Sequence, residues 1–281
     1  MNLFPPDARR TLVPSPCVLA CAVLALASIA VPATAQEPPV PLRALQSKGV
    51  TIVGTFPAPG GLTAWAGYAG RQPLAFYATP DGQHVIVGTL LDAQGQDLTE
   101  APLAKAVQGP MTAGVWQQLE RSHWIADGKA DAPRTVYVFT DPNCPYCNKF
   151  WADARPWVDS GKVQLRHIMV GLLTPTSTGK AAALLASKNP ADALATYERG
   201  HVADNAKVLG AGRPRPLGDA GLKPLASIPP KIQAQLDTNE KLMASLRLQA
   251  TPAFAWRDAT GAVQSRSGAP PAAMAQILGP R

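Results

Sequence analysis

The chain reads as an α+β protein of two domains: a small strand-rich N-terminal domain, a linker helix, and a larger C-terminal α/β domain carrying a helical insertion. Three observations predict this. Short apolar runs separated by turn residues fill Gly49 to about Leu91, and apolar residues recur at helical spacing between Met111 and Ile125. Beyond Pro133, strand, helix and strand patterns are followed by an Ala-rich helical stretch before strand character returns. The boundaries drawn from these patterns are 36–108 for the first domain, 109–128 for the linker helix and 129–281 for the second domain, with the insertion at about 174–247.

Residues 1–35 are expected to be a removable secretory signal. Arg9 and Arg10 precede an apolar stretch from Cys17 to Val31, and Ala33-Thr34-Ala35 supplies the small residues of a cleavage site before Gln36. The apolar stretch is short of the roughly 20 residues that a membrane span needs. Val18-Leu19-Ala20-Cys21 has the outline of a lipoprotein box, but the apolar run continues past Cys21 where a polar tether would begin. The net charge of +7 for the 281 residues falls to about +6 without the signal. Lys and Arg occur singly, without interleaved aromatics, which argues against nucleic-acid binding.

In the first domain a short helix is expected at Leu42–Lys48. Strands follow at Val50–Phe56, Leu74–Thr79 and His84–Leu91, the last two joined by the hairpin signal Pro80-Asp81-Gly82. The domain has no cysteine and no cluster of catalytic residue types, so association or support is its expected role. The linker stripe is Val115, Trp116, Leu119, His123 and Trp124, with Asp127-Gly128 as its stop; His123 on that stripe reads as packed rather than as a metal ligand. In the second domain a strand at Thr135–Thr140, a helix from Cys144 to about Ser160 bent near Pro156, and a strand at Val163–Val170 form a crossover that makes the two strands parallel. Helices at Lys180–Ser187, Ala191–Arg199 and Lys231–Leu246 surround a Pro- and Gly-rich loop between residues 200 and 230. Strands at Ala253–Trp256 and beyond the turn at Asp258–Gly261, then a helix after Pro271, complete the order of a thioredoxin-like domain.

Cys144-Pro145-Tyr146-Cys147 sits between the first of these strands and its helix. Once Cys17 and Cys21 leave with the signal, this is the remaining cysteine pair, and two thiols so close in sequence close too small a loop to brace the fold, so redox chemistry explains them better. A free thiol is only about 3% ionised at pH 7. At the first turn of a helix Cys144 faces unpaired N–H groups and the positive end of the helix dipole, which favour the thiolate. Cys147, one turn further in, is expected to be more buried and to resolve the mixed disulfide that Cys144 forms. Pro145 suits an early helical position and Tyr146 flanks the sulfur. Thr251-Pro252, just before a strand, is the expected substrate-binding and tuning element, with a cis proline bend lying against Cys144.

Phe150 and Trp151 read as core residues, and Asp141-Pro142-Asn143 as the turn that opens the helix. His84, His123, His167 and His201 are scattered, so neither a metal site nor a cofactor is expected. No phosphate-binding glycine loop or Gly-x-Ser-x-Gly elbow is present in the sequence.

At this level of detail the chain resembles the DsbC/DsbG family of periplasmic thiol:disulfide interchange proteins. The matching segments include Gly49-Val50-Thr51-Ile52, Thr79-Pro80-Asp81-Gly82, Ser122-His123-Trp124, Asp141-Pro142 with the Cys144–Cys147 motif, Ala154 through Arg166, Asn239–Met243 and Thr251-Pro252-Ala253. Members like DsbC usually carry a further structural cysteine pair, absent here, so the DsbG side of the family is the better match. The resemblance implies a cystatin-like N-terminal domain joining a V-shaped homodimer, two thioredoxin-like domains facing a shared cleft, and reduction by an inner-membrane reductase of the DsbD type. It also implies reductase or isomerase activity on periplasmic protein substrates, on wrong disulfides and sulfenylated cysteines, with Cys144 and Cys147 as the redox pair and chaperone activity alongside. A redox-independent holdase and a disulfide-donating oxidase are the competing readings.

Overall fold

The computed structural model describes residues 37–281. The expected signal at 1–35, with Cys17 and Cys21, lies outside the described residues.

The N-terminal sheet is an antiparallel meander of β1 (Thr51–Phe56), β2 (Thr63–Ala69), β3 (Gln72–Ala78) and β4 (Val85–Val87), in that spatial order. Helix α1 (Val40–Gln46) covers one face, where Leu42 packs with Trp65, Phe76 and Ala78. The other face carries Ala64, Ala66, Tyr68, Ala75 and Tyr77 against Leu103 and Val107. Because β2 is covered on both sides it lacks the polar alternation of a half-exposed strand, and its Ala- and Gly-rich sequence escapes a pattern search. Strand β4 is also shorter than the expected His84–Leu91; the hairpin at Pro80-Asp81-Gly82 does join it to β3.

Ala69 pairs with Gln72, leaving Gly70-Arg71 as a two-residue turn. Gly70 adopts φ +57, and a Cβ there would overlap the Ser245 carbonyl of the C-terminal domain. Arg71 bonds Ser265, and Arg247 bonds Gln72, so this tip docks on the C-terminal domain. Gly70→Ala is expected to cost about 1–3 kcal/mol from left-handed strain plus the overlap. Urea unfolding with an unchanged slope and a lowered midpoint would register it; an unchanged midpoint would rule it out.

Helix α2 (Glu100–Arg121) corrects the expected linker at 109–128 at both ends. It begins nine residues earlier, where the Asp97 carboxylate accepts the N–H groups of Thr99 and Glu100, and it runs through Pro110. An interior proline removes a helix hydrogen bond, yet Leu103 and Val107 pack on the N-terminal sheet while Val115, Trp116 and Leu119 pack on the C-terminal one, and this two-sided burial carries the helix across. It ends where Ser122 turns its N–H and hydroxyl back to the Leu119 carbonyl. Residues Trp124–Asp127 are therefore strand β5, not helix. His123 lies in the link between them, partly buried, with its N–H and carbonyl both held by the Asn239 side chain.

The C-terminal sheet has the order β5-β7-β6-β8-β9, built from β6 (Arg134–Thr140), β7 (Val163–Met169), β8 (Ala253–Arg257) and β9 (Val263–Ser267). Strands β6 and β7 are parallel, and β8 runs antiparallel to β6. Side chains alternate between two cores. Tyr137, Phe139, Ala253 and Ala255 meet α2 and α7 (Pro230–Ser245), while Val136, Val138, Phe254 and Trp256 meet α3 (Pro145–Asp153), α4 (Arg155–Asp159) and α8 (Pro271–Leu278). Helices α5 (Ser177–Leu185), α6 (Pro190–Gly210) and α7 lie between β7 and β8. Helix α6 continues past Gly200, where a loop was expected, because Glu198 and Asn205 on its inner face bond α3; the loop is thereby reduced to residues 211–229.

Candidate active site

Strand β6, the central strand of the sheet, ends at Thr140, and the next four residues place the cysteine pair just beyond its C-terminal end. The buried Asp141 carboxylate is the organiser. Its Oδ1 accepts the Asn143 N–H and the Ser177 hydroxyl, each at 2.8 Å, and its Oδ2 accepts the N–H groups of Leu172 and Leu173, also at 2.8 Å. The Asp141 carbonyl in turn accepts the Cys144 N–H at 3.0 Å. Cys144 is thus delivered to the N-cap of α3 with extended dihedrals, φ −80 and ψ 114, and its sulfur accepts the Cys147 N–H at 3.3 Å. Pro145 takes the first helical position, where its missing N–H costs nothing.

Thr251 and Pro252 come to the same place from the other end of the domain. Their peptide bond is cis, and the Cys144 thiol donates to the Thr251 carbonyl at 3.4 Å. Tyr146 is 51% exposed beside them. A groove of about 490 Å³ runs from the motif along this bend, lined among others by Tyr146, Lys149, Phe150, Thr251, Pro252 and Ala269. Of the six sequence-selected positions, Tyr146, Thr251 and Pro252 line the groove, while Cys144, Pro145 and Cys147 are buried next to them. Both thiols are only 3% exposed to solvent, and Cys147 is the more deeply enclosed of the two, as expected.

What separates the two thiols is their surroundings. The Cys147 side chain donates to the Cys144 sulfur and, against the opposing effect of burial, helps bring Cys144 down to about 7; the Thr251 side chain and the N–H groups of Cys147 and Tyr146 act the same way. The Thr251 carbonyl favours the thiol, but these donors outnumber it. Cys147 is pushed well above an ordinary thiol by burial, then by its role as donor to Cys144 and by the proximity of that sulfur's charge. The surroundings thus favour the thiolate at Cys144 and the protonated thiol at Cys147.

Beneath the pair lies a polar layer that sequence patterns did not single out. Asn148, one residue past Cys147, donates to the Glu198 carboxylate and to the Glu198 carbonyl, each at 2.7 Å, and Asn205 donates to the Pro145 carbonyl at 2.7 Å. Burial raises the Glu198 carboxyl to about 7, with Asn148 opposing and the Cys144 charge reinforcing. The available signal was spacing: Glu198 stands four residues after the buried Leu194, on the inward stripe of α6. On the opposite side Arg155 stacks on Trp151 and pairs with Asp127, which also meets His167 at 3.4 Å. Burial pushes the Asp127 carboxyl up, but hydrogen bonds from His167 and Arg155 outweigh it and hold the group well below the usual carboxylate range. Phe150 and Trp151 are buried. Among the described residues no three His, Cys, Asp or Glu side chains gather to hold a metal, and no described helix is long and apolar enough to cross a membrane.

A two-thiol site on a thioredoxin-like domain defines a disulfide-exchange protein, and comparison with known proteins agrees. The thioredoxin-like domain family matches residues 125–279, and the disulfide bond isomerase N-terminal domain family matches residues 33–100. The thiol:disulfide interchange protein DsbG of Pseudomonas aeruginosa is 49% identical over 259 residues, covering 92% of this chain and 95% of the relative. DsbG of Escherichia coli is 40% identical over 248 residues, covering 88% and 94%. A probable DsbC of Bordetella pertussis matches at only 27% identity over 107 residues, 38% of this chain. The chain belongs to the DsbG family of thiol:disulfide interchange proteins.

Proposed function

We propose that the protein acts in the periplasm as a reductase and isomerase of protein disulfides and of sulfenylated cysteines, with Cys144 as the nucleophile and Cys147 as the resolving thiol. The observation that carries this reading is the contrast between the two sulfurs at the opening of α3: Cys144 ionises at about 7 while Cys147 stays protonated, next to a groove lined by Tyr146, Thr251 and Pro252. The Cys144 thiolate attacks one sulfur of a substrate disulfide, forming a mixed disulfide and releasing the other sulfur as thiolate. From a sulfenic acid the same attack forms the same bond and releases hydroxide, which leaves as water once protonated. A substrate thiol that then attacks the mixed disulfide completes isomerisation with no net redox change. If Cys147 loses its proton and attacks Cys144 instead, the substrate leaves reduced and the pair leaves oxidised, to be recharged by an inner-membrane reductase of the DsbD type.

Periplasmic location is supported by the signal expected at residues 1–35, and a homodimer by the edge of the N-terminal sheet. Strand β4 closes that sheet with one side unpaired, and Ile86 and Val87 on it are 60% and 55% exposed. An apolar, unpaired edge of this kind is an association surface. The exposed Leu172 and Leu173, fixed by Asp141 three residues before Cys144, provide apolar contacts for unfolded chains and support a chaperone role. Such a role predicts aggregation suppression that survives loss of both cysteines.

A Cys147→Ala variant is expected to accumulate mixed disulfides with periplasmic proteins, visible as adducts on non-reducing gels and absent when Cys144 is also replaced. Thiol alkylation of wild-type protein in cells should find the pair reduced, and sedimentation should find a dimer. A monomer with an oxidised pair would favour the oxidase reading instead.

A further inference from the structure

Lys180 is 0% exposed, unusual for a side chain that is costly to bury. Its Nζ reaches five oxygens: Asn143 Oδ1 at 2.6 Å, the Gly218 carbonyl at 2.7 Å, Asp219 Oδ1 at 2.9 Å, Tyr197 Oη at 3.2 Å and the Leu217 carbonyl at 3.3 Å. An ammonium group has three protons, so the cluster is saturated and several bonds are shared. These oxygens belong to three separate parts of the fold: α6, the 211–229 loop and the turn before Cys144.

The same turn is gripped through its other polar atoms. The Asn143 carbonyl accepts the Leu217 N–H at 3.0 Å, and Tyr197 donates to the Pro142 carbonyl at 2.7 Å. Asn143 Nδ2 contacts the hydroxyls of Thr174, Thr176 and Ser177. The loop itself is pressed onto α5 next to Lys180, since Leu225 donates to the Gly179 carbonyl and a Cβ on Gly179 would come within 2.9 Å of Leu225 and Pro224. The Pro- and Gly-rich loop is anchored on the core at its far end through Leu222, Leu225 and Ile228, and its Leu217–Asp219 segment is held by polar contacts directly beside the residue that precedes Cys144.

We propose that Lys180 is a positioning residue of the redox site: it locks the Leu217–Asp219 loop onto the Pro142-Asn143 turn and so aims the Cys144 sulfur at the N–H groups that open α3. The proposal rests on Cys144 being the reactive thiol. Without Lys180, the buried Asn143 Oδ1 and the Gly218 carbonyl lose their charged donor, the loop separates from the turn, and the N-cap dihedrals of Cys144 relax.

Ultraviolet absorbance of the thiolate against pH reads the aim of that sulfur directly. Wild-type protein should show a midpoint at about 7. Lys180→Met is expected to raise the midpoint by about half to one unit, roughly a two- to fivefold loss of thiolate at pH 7, with a matching change in the equilibrium with glutathione. Tyr197→Phe removes the hydroxyl between Lys180 and the Pro142 carbonyl without altering charge, and should shift the midpoint the same way by a smaller amount. Folded variants that melt earlier but keep the wild-type midpoint and glutathione equilibrium would overturn the proposal and leave Lys180 a stability residue only. If Lys180→Met does not fold, Tyr197→Phe decides alone, on the same criterion. A wild-type midpoint near that of an ordinary thiol is a different failure, that of the redox reading itself.

Discussion

Cys144→Ser is expected to lower thiol–disulfide exchange by at least about 100-fold, the largest effect of any single substitution in the chain. A hydroxyl cannot form the mixed disulfide, so exchange would have to pass through Cys147. That thiol ionises less readily than a free cysteine, which is itself only about 3% thiolate at pH 7, and it is buried. Poor ionisation and poor access multiply. The wild-type reaction carries its own pH signature. With Cys144 ionising at about 7, the thiolate fraction is about 9% at pH 6, half at pH 7 and about 90% at pH 8. Turnover of a small synthetic disulfide should therefore rise about tenfold between pH 6 and 8 and then level. A continued rise to pH 9, or a serine variant that retains most of its activity, would remove Cys144 from the nucleophile's role.

The second large effect concerns stability. Burial holds the Glu198 carboxyl at about 7 in the folded protein against an ordinary 4.5. The folded state thus keeps this proton at pH values where the unfolded chain has released it, so Glu198 disfavours folding increasingly as pH rises from 4.5 through 7. The full penalty above that window is about 3 kcal/mol. Glu198→Gln cannot titrate, fits the same space and still accepts from Asn148. Relative to wild type, its stability should improve by about 2–3 kcal/mol between pH 5 and pH 8. Denaturant titrations of both proteins, reduced, at the two pH values measure this; parallel curves with no widening gap would contradict it.

The features that were legible from the sequence are those written in neighbouring residues. Cys144, Pro145 and Cys147 occupy the cap and first turn of a helix because the strand Arg134–Thr140 and the Asp141-Pro142-Asn143 turn lead directly into it. The crossover from β6 through α3 to β7 was readable for the same reason, as was the break before Pro156. Strand β2 was not, because burial on both faces erases alternation from Thr63–Ala69. The start of α2 and the end of α6 were misplaced because the helices run through Pro110 and Gly200, where burial on two sheets for α2 and the inner-face bonds to α3 for α6 outweigh the local cost of either residue.

Local sequence by itself determined the class of chemistry: a paired thiol at a helix opening, and a Thr-Pro bend awaiting a position. Only the tertiary structure decided what surrounds those thiols. Thr251 reaches Cys144 across 107 residues, Glu198 meets Asn148 across 50, and Lys180 meets Asn143 across 37. Periodicity tells which side of a helix turns inward, but not which side chain waits there. The energy of burying a charge or ionising a sulfur depends on those neighbours, so the reactivity of the pair belongs to the fold rather than to the motif.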